Sequence, residues 1–243
     1  MLTIGIDSSG LVAGAAIIKD GVLLAEYTTQ YKKTHSQTLL PMLAEICRMT
    51  DTDIAEADCF AVTEGPGSFT GLRIGSATVK GLALVTGKPV AGVPTVDAIA
   101  ADLWGCTGLV VPLMDARRDQ VYTGIYTFES AGEGMSMRTI MSQRPMDITD
   151  LVERLNSETG VIYFLGDGVP RYLDRIRSLL DRPYHVAPAG MNRQRASCVA
   201  VLGEQYLREG RAVSGFEHKP VYLRPSQAER ERNEKLGHPS GGI

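Results

Sequence analysis

One segment constrains this chain more than any other: Glu64-Gly65-Pro66-Gly67-Ser68-Phe69-Thr70-Gly71-Leu72-Arg73-Ile74-Gly75. An apolar, β-prone run at 58–63 precedes it and a helical run reaching about Val85 follows, so it is a strand-to-helix turn. Gly65, Gly67 and Gly71 free the backbone for conformations closed to other residues and let a neighbouring chain or an anion come close. Ser68 or Thr70 can cap the helix, whose first N–H groups are otherwise unpaired. The geometry invites a phosphate-loop reading, but the lysine-hydroxyl pair that completes such a loop is missing. Two readings compete: the turn binds a phosphate, or it shapes a surface.

At 243 residues the chain can hold one large domain or two modest lobes. A formal net charge of -3 argues against tight stand-alone RNA binding, which shows a basic excess, but not against a supporting role in an RNA-acting complex. Cys47, Cys59, Cys106 and Cys198 lie far apart and form no C-x-x-C pair, as expected of reduced thiols in a cytoplasmic protein. Met1 runs directly into a strand with no basic-then-apolar leader, and no apolar run is long enough to span a bilayer. The expectation is a soluble, cytoplasmic protein without a membrane partner.

The order of elements is readable. Leu2–Asp7 and 12–19 are strands, Asp20-Gly21 is a two-residue hairpin turn, and 22–27 is a third strand. A helix occupies 35–49, with its regular part beginning near Leu40 because Pro41 belongs in a first turn. The glycine-rich turn and its helix follow, then a strand at 89–93 and a helix at 94–103. The second half restarts with strands at 109–114 and 120–128 around a turn at 115–119. A polar loop at 130–136, a helix at 148–156, a strand at 161–165 and helices at 170–180 and 196–209 complete it. The fold class is α/β: an actin-like ATPase (ASKHA, ribonuclease-H-like) fold with two lobes, mixed sheets and flanking helices. The first lobe takes 1–103, completed by the helix at 196–210. The second, smaller lobe takes 104–195, and 225–243 reads as a flexible, charged tail.

Asp7-Ser8-Ser9 ends the first strand, and Asp115 follows the first strand of the second half. Paired acidic loops facing a cleft could hold Mg²⁺ with a nucleotide. Ala116-Arg117-Arg118, however, has no glycine to wrap a phosphate, and local capping of turns by both aspartates is the simpler reading. His35, His185, His218 and His238 form no pair at metal-binding spacing. No G-x-S-x-G elbow is present, so Ser68 reads as a cap rather than a nucleophile.

The helix after the turn carries Gly71, Gly75, Val79 and then Ala83 on one face, with Leu72, Ser76 and Lys80 beside it. Each helical glycine costs about 1 kcal/mol relative to alanine, so a close contact must compensate. A second helix is the expected contact, either the chain's own first helix, with Leu39, Leu43 and Ile46, or one from another subunit. Together Leu39, Leu43, Ile46, Gly71, Leu72, Gly75, Ser76, Val79 and Lys80 form the candidate partner interface.

Several segments carry a resemblance: Ile4-Gly5-Ile6-Asp7-Ser8-Ser9, His35-Ser36-Gln37-Thr38-Leu39-Leu40-Pro41, the glycine-rich turn, Lys80-Gly81-Leu82-Ala83, Val111-Pro112-Leu113-Met114-Asp115-Ala116-Arg117-Arg118 and Pro220-Val221-Tyr222-Leu223-Arg224. The chain resembles the TsaB (YeaZ-type) family over most of its length. That resemblance implies a non-catalytic scaffold or activator that binds the TsaD threonylcarbamoyltransferase. The complex makes N6-threonylcarbamoyladenosine at adenosine 37 of ANN-decoding tRNAs. TsaD carries a His-Leu-Glu-Ala-His pair of metal ligands, and Thr95 and Ile99 stand at those two positions here. Neither can replace imidazole at a divalent metal. The resemblance further implies that the helices near 40–49 and 71–85 meet TsaD and support a homodimer when it is absent. A TsaE-type ATPase joins the pair, tRNA is met only through the complex, and no cofactor is tightly bound, with ATP or ADP placed at the junction of the subunits. The rival reading is an actin-like ATPase or small-molecule kinase using Asp7, Ser8, Ser9 and Asp115 to bind its nucleotide.

Overall fold

Asp20 and Gly21 both adopt positive φ, 51° and 78°, and close the hairpin between β2 (Ala13–Lys19) and β3 (Val22–Thr29). This is the backbone hand that matches the twist of the flanking strands. The computed structural model describes residues 1–31, 34–132 and 134–224, and the tail expected at 225–243 lies outside them. The first lobe runs β1 (Leu2–Asp7), β2, β3, α1 (His35–Met49), β4 (Cys59–Gly65), α2 (Phe69–Thr86), β5 (Val90–Pro94) and α3 (Thr95–Ala100). The second runs β6 (Leu109–Asp115), β7 (Gln120–Ala131), β8 (Gly134–Asp147), α4 (Ile148–Asn156), β9 (Ile162–Leu165), α5 (Val169–Leu179) and β10 (Tyr184–Val186). The chain then returns as α6 (Ala196–Arg208).

The first sheet has the order β3-β2-β1-β4-β5, and the second has β10-β9-β6-β7-β8, the same order read from the other edge. Strands β1, β2 and β3 pair antiparallel while β1, β4 and β5 pair parallel. The second sheet repeats this, with β6, β7 and β8 antiparallel and β6, β9 and β10 parallel. Each lobe is one copy of a duplicated mixed-sheet unit.

The continuous apolar runs of β1 and β4 are buried on both faces. Leu39, Leu43 and Ile46 of α1 and Val79 and Ala83 of α2 pack with Ile4, Ile6 and Phe60 on one face of the first sheet. Val199, Leu202 and Tyr206 of α6 cover the other face against Ala61, Ala91 and Val93. Val96, Ile99 and Ala100 of α3 pack onto Val110, Met114 and Tyr126, so α3 is the hydrophobic joint between the lobes. No described helix is long and apolar enough to cross a membrane.

Three sequence expectations require correction. Helix α1 begins at His35, with Pro41 in its interior. Pro41 and Gln37, whose carbonyl would have received the missing N–H, both lie on the exposed side, where water can take the donor's place. The loop expected at 130–136 is a hairpin tip, since β7 reaches Ala131 and β8 starts at Gly134. Strand β8 itself escaped the sequence because it is an edge strand whose side chains are mostly exposed, which erases the alternation that marks a half-buried strand.

Candidate functional site

Asp7 ends β1 completely buried. Its Oδ1 accepts hydrogen bonds from the Ser9 backbone N–H and the Ser9 hydroxyl, both at 2.8 Å. Among the described residues its Oδ2 has no well-formed partner. Burial raises the Asp7 pKa, and the Ser9 bonds, the neighbouring Thr63 hydroxyl and His35 oppose that rise. His35 is fixed through Nε2 at 2.8 Å from the Gly10 carbonyl oxygen.

The glycine-rich turn is filled by the chain itself. Ser68 N–H donates to the Ser9 carbonyl at 2.6 Å, and the Ser8 hydroxyl donates to the Gly71 carbonyl at 2.8 Å. A Cβ on Gly71 would overlap the Ser8 carbonyl oxygen, and one on Gly75 would overlap the Ser8 hydroxyl. The Ser68 hydroxyl caps α2 by accepting from Gly71 N–H at 3.3 Å. The Ser8–Ser9 backbone thus packs directly against Gly67 and Gly71 of this turn. Gly65 has φ 128°, and its Cα faces the Val221 carbonyl so closely that a side chain has no room.

Asp115 ends β6 at the matching place. Its Oδ1 accepts from Arg117 N–H at 2.8 Å and from the Tyr172 hydroxyl at 3.0 Å, and its Oδ2 pairs with Arg171 at 3.2 Å. Arg117, Arg118 and Asp119 all hold positive φ, between 54° and 62°, a tight turn built without glycine. Asp167 supports it by accepting from the Asp115 N–H at 3.2 Å. Both aspartates thus cap turns, as the simpler reading expected.

Between the loops that follow β1 and β6 lies a cleft of about 760 Å³ bordered by Ser9, Gly67, Phe69, Asp115 and Tyr122; Asp7 itself is buried behind it. The last described residues, 221–224, form one of its walls. Val221 N–H donates to Glu64 O at 2.7 Å, Tyr222 stacks on Phe69 with ring centroids 4.3 Å apart, and Arg224 donates to the Ala116 carbonyl at 3.1 Å. This strap links the lobes, and its register could not be read from local sequence.

All but one of the candidate interface residues face the chain's own core. Leu39, Leu43, Ile46, Gly71, Leu72, Gly75, Ser76 and Val79 are buried within the chain, and Lys80 is half-buried. The close contact that compensates the glycines is the Ser8 loop and Val62 of β4, not a second helix. The outward faces of the same helices carry Leu40, Pro41, Ala44 and Met49 on α1, and Ala77, Gly81, Leu84 and Val85 on α2. Met49 is 68% exposed, Leu84 66% and Val85 87%.

Thr95 and Ile99 on α3 are fully buried at the joint between the lobes. Asp97 between them accepts from the Tyr126 hydroxyl at 2.6 Å, and burial raises its pKa. Among the described residues no group of three or more His, Cys, Asp or Glu is arranged to hold a metal ion.

A duplicated mixed-sheet lobe, an acidic turn after each lobe's first strand and a cleft between them define a two-lobed, actin-like protein. The family model described as TsaD, tRNA N6-adenosine threonylcarbamoyltransferase, matches residues 22–231. The tRNA threonylcarbamoyladenosine biosynthesis protein TsaB of Bacillus subtilis (strain 168) is 32% identical over 94% of this chain and 96% of its own length. The protein of the same name from Escherichia coli (strain K12) is 29% identical over 94% of this chain and 96% of its own. The structure of YeaZ from Pseudomonas aeruginosa superposes with TM-score 0.74 at 24% identity, covering 91% of this chain and 99% of that one. This chain belongs to the TsaD family and, within it, to the TsaB group.

Proposed function

We propose that this chain serves tRNA threonylcarbamoyladenosine biosynthesis as a non-catalytic subunit that binds a TsaD-type transferase and holds it competent. The names borne by its relatives support the pathway. One observation carries the scaffold role: the outward faces of α1 and α2 leave Leu40, Met49, Leu84 and Val85 uncovered on adjoining helices. Large apolar side chains grouped at a surface mark a place where another protein sits. The partner's helices cover these faces, and a homodimer uses them when the partner is absent. A TsaE-type ATPase joins the assembled pair in the cytoplasm, with ATP or ADP at the subunit junction. The complex then acts on adenosine 37 of ANN-decoding tRNAs, and this acidic subunit meets tRNA only through it.

The rival ATPase or kinase reading draws little support from the cleft, because both Asp115 oxygens and one Asp7 oxygen already accept hydrogen bonds from the chain. The test is reconstitution with the TsaD-type subunit of the same organism. The wild-type chain co-elutes with it and restores modification of tRNA. Ala77→Arg, on the exposed face of α2, abolishes both while its melting temperature stays put. A chain that turns over ATP alone and loses that activity in Asp7→Asn would sink the proposal.

A further inference from the structure

The outward face of α2 runs at its C-terminal end into a second cavity, of about 650 Å³. Its apolar lining comes from Gly81, Ala83, Leu84, Pro89, Val213 and Phe216. The volume admits more than one large side chain but not a whole helix. One wall is the segment after α6, fixed in place by paired backbone bonds between Val90 and Val213, 2.8 and 2.9 Å long. The turn that follows is tied by Ser214 to Glu217, hydroxyl to carboxylate at 2.7 Å. A Cβ on Gly215 would come within 2.9 Å of the Ala83 Cβ, so this turn is pressed onto α2. Phe216 is thereby held out at the rim, 79% exposed, rather than folded into the groove.

Two ammonium groups, Lys80 and Lys88, border this apolar floor. Among the described residues neither has a carboxylate within ion-pair distance. Glu217, the acidic residue of the turn, turns its Oε2 to Ser214, accepting from its N–H at 3.1 Å and its hydroxyl at 2.7 Å. His218 beside Lys80 is 3% exposed, its Nε2 has no partner among the described residues, and burial with the Lys80 charge pushes its pKa down to about 4. It is neutral at physiological pH, so the charged side chains lining the groove are the two lysines, with ionised Glu217 on the adjoining turn. An apolar slot flanked by unpaired cations is complementary to an apolar anchor flanked by carboxylates.

We infer that this groove receives an acidic segment of the transferase-type partner, with a large apolar side chain seated between Leu84 and Phe216 and carboxylates reaching Lys80 and Lys88. The groove is continuous with the exposed α2 face of the proposed interface, and the inference rests on that reading. It adds a chemical requirement: the partner must present negative charge where it meets the end of α2.

The experiment is calorimetric titration of the full chain with the same-organism TsaD-type subunit at low and high salt. The variants are Lys80→Glu/Lys88→Glu, Phe216→Ser and Ala77→Arg. Every substituted side chain is at least partly exposed, and melting curves confirm folding. The double charge reversal should weaken binding by about tenfold or more and remove its salt sensitivity, and Phe216→Ser should weaken it by about tenfold. If the wild type binds, Ala77→Arg does not, and the groove variants bind normally, the groove inference fails and the scaffold reading stands. If the wild type does not bind at all, both fail. Groove variants that keep the partner but lose self-association would assign the groove to a second copy and overturn the inference.

Discussion

The Ser8 hydroxyl donates a 2.8 Å hydrogen bond to the Gly71 carbonyl, joining two loops 63 positions apart in sequence. Together with the 2.6 Å bond from Ser68 N–H to Ser9 O, it locks the loop after β1 into the turn that launches α2. The two segments that most resemble nucleotide-binding motifs satisfy each other. The glycines of this turn make room for the Ser8–Ser9 loop of the same chain. Ser8→Ala removes the Ser8 bond within a buried site and should lower stability by about 1 kcal/mol, read by denaturant unfolding.

The buried placement of Leu43 and the exposed placement of Ala77 separate folding from assembly. Leu43→Ala opens a cavity in the core shared by α1 and the first sheet and should cost about 2–5 kcal/mol of stability with or without a partner. Ala77→Arg should leave chemical denaturation unchanged and remove only partner binding. Unfolding curves and co-elution, measured on both variants, distinguish the two effects.

Asp102, just after α3, makes stability depend on pH. Its Oδ1 accepts from the Cys198 thiol at 3.3 Å, Arg195 stands 4.0 Å away, and Oδ2 is buried without a partner. Burial pushes its pKa up to about 7; Cys198 and Arg195 oppose that, whereas Glu26 and Asp7 add to it. Because the folded value lies above the unfolded one, the folded chain binds this proton more tightly. The contribution is full below about pH 4 and is lost as pH rises to about 7. Asp102→Asn should therefore raise stability at pH 8, by up to about 4 kcal/mol, and flatten the slope between pH 4 and 7. Asp7, Glu64, Asp97 and Asp167, raised mainly by burial, add slopes of the same sign, whereas His218, lowered to about 4 by burial, adds one of the opposite sign below about pH 6.5.

Much of the fold was legible in the sequence because its signals are local. β-branched runs marked β1 and β4, Asp20-Gly21 marked the hairpin, and the restart after residue 108 marked the second lobe. Strand β8 was not legible, since an exposed edge strand has no alternation to show. Helical periodicity correctly grouped Gly71, Gly75 and Val79 on one face, but periodicity cannot say which face turns inward. Leu84 and Val85 look like core residues in sequence and are surface residues in the fold. The strap from Val221 to Arg224 was visible only as part of a resemblance, because its bond to Ala116 spans 108 positions.

The interlocking of Ser8 with Gly71 is tested most directly by alanine at two glycines of the same helix, compared by denaturant unfolding. Gly81 has open space around its Cα, so Gly81→Ala should stabilise the chain by about 1 kcal/mol through helix propensity. Gly71→Ala gains the same propensity but drives a methyl into the Ser8 carbonyl, and should cost ~3 kcal/mol or more. A Gly71→Ala chain as stable as Gly81→Ala would contradict the account, because the Ser8 carbonyl would then not be packed against Gly71.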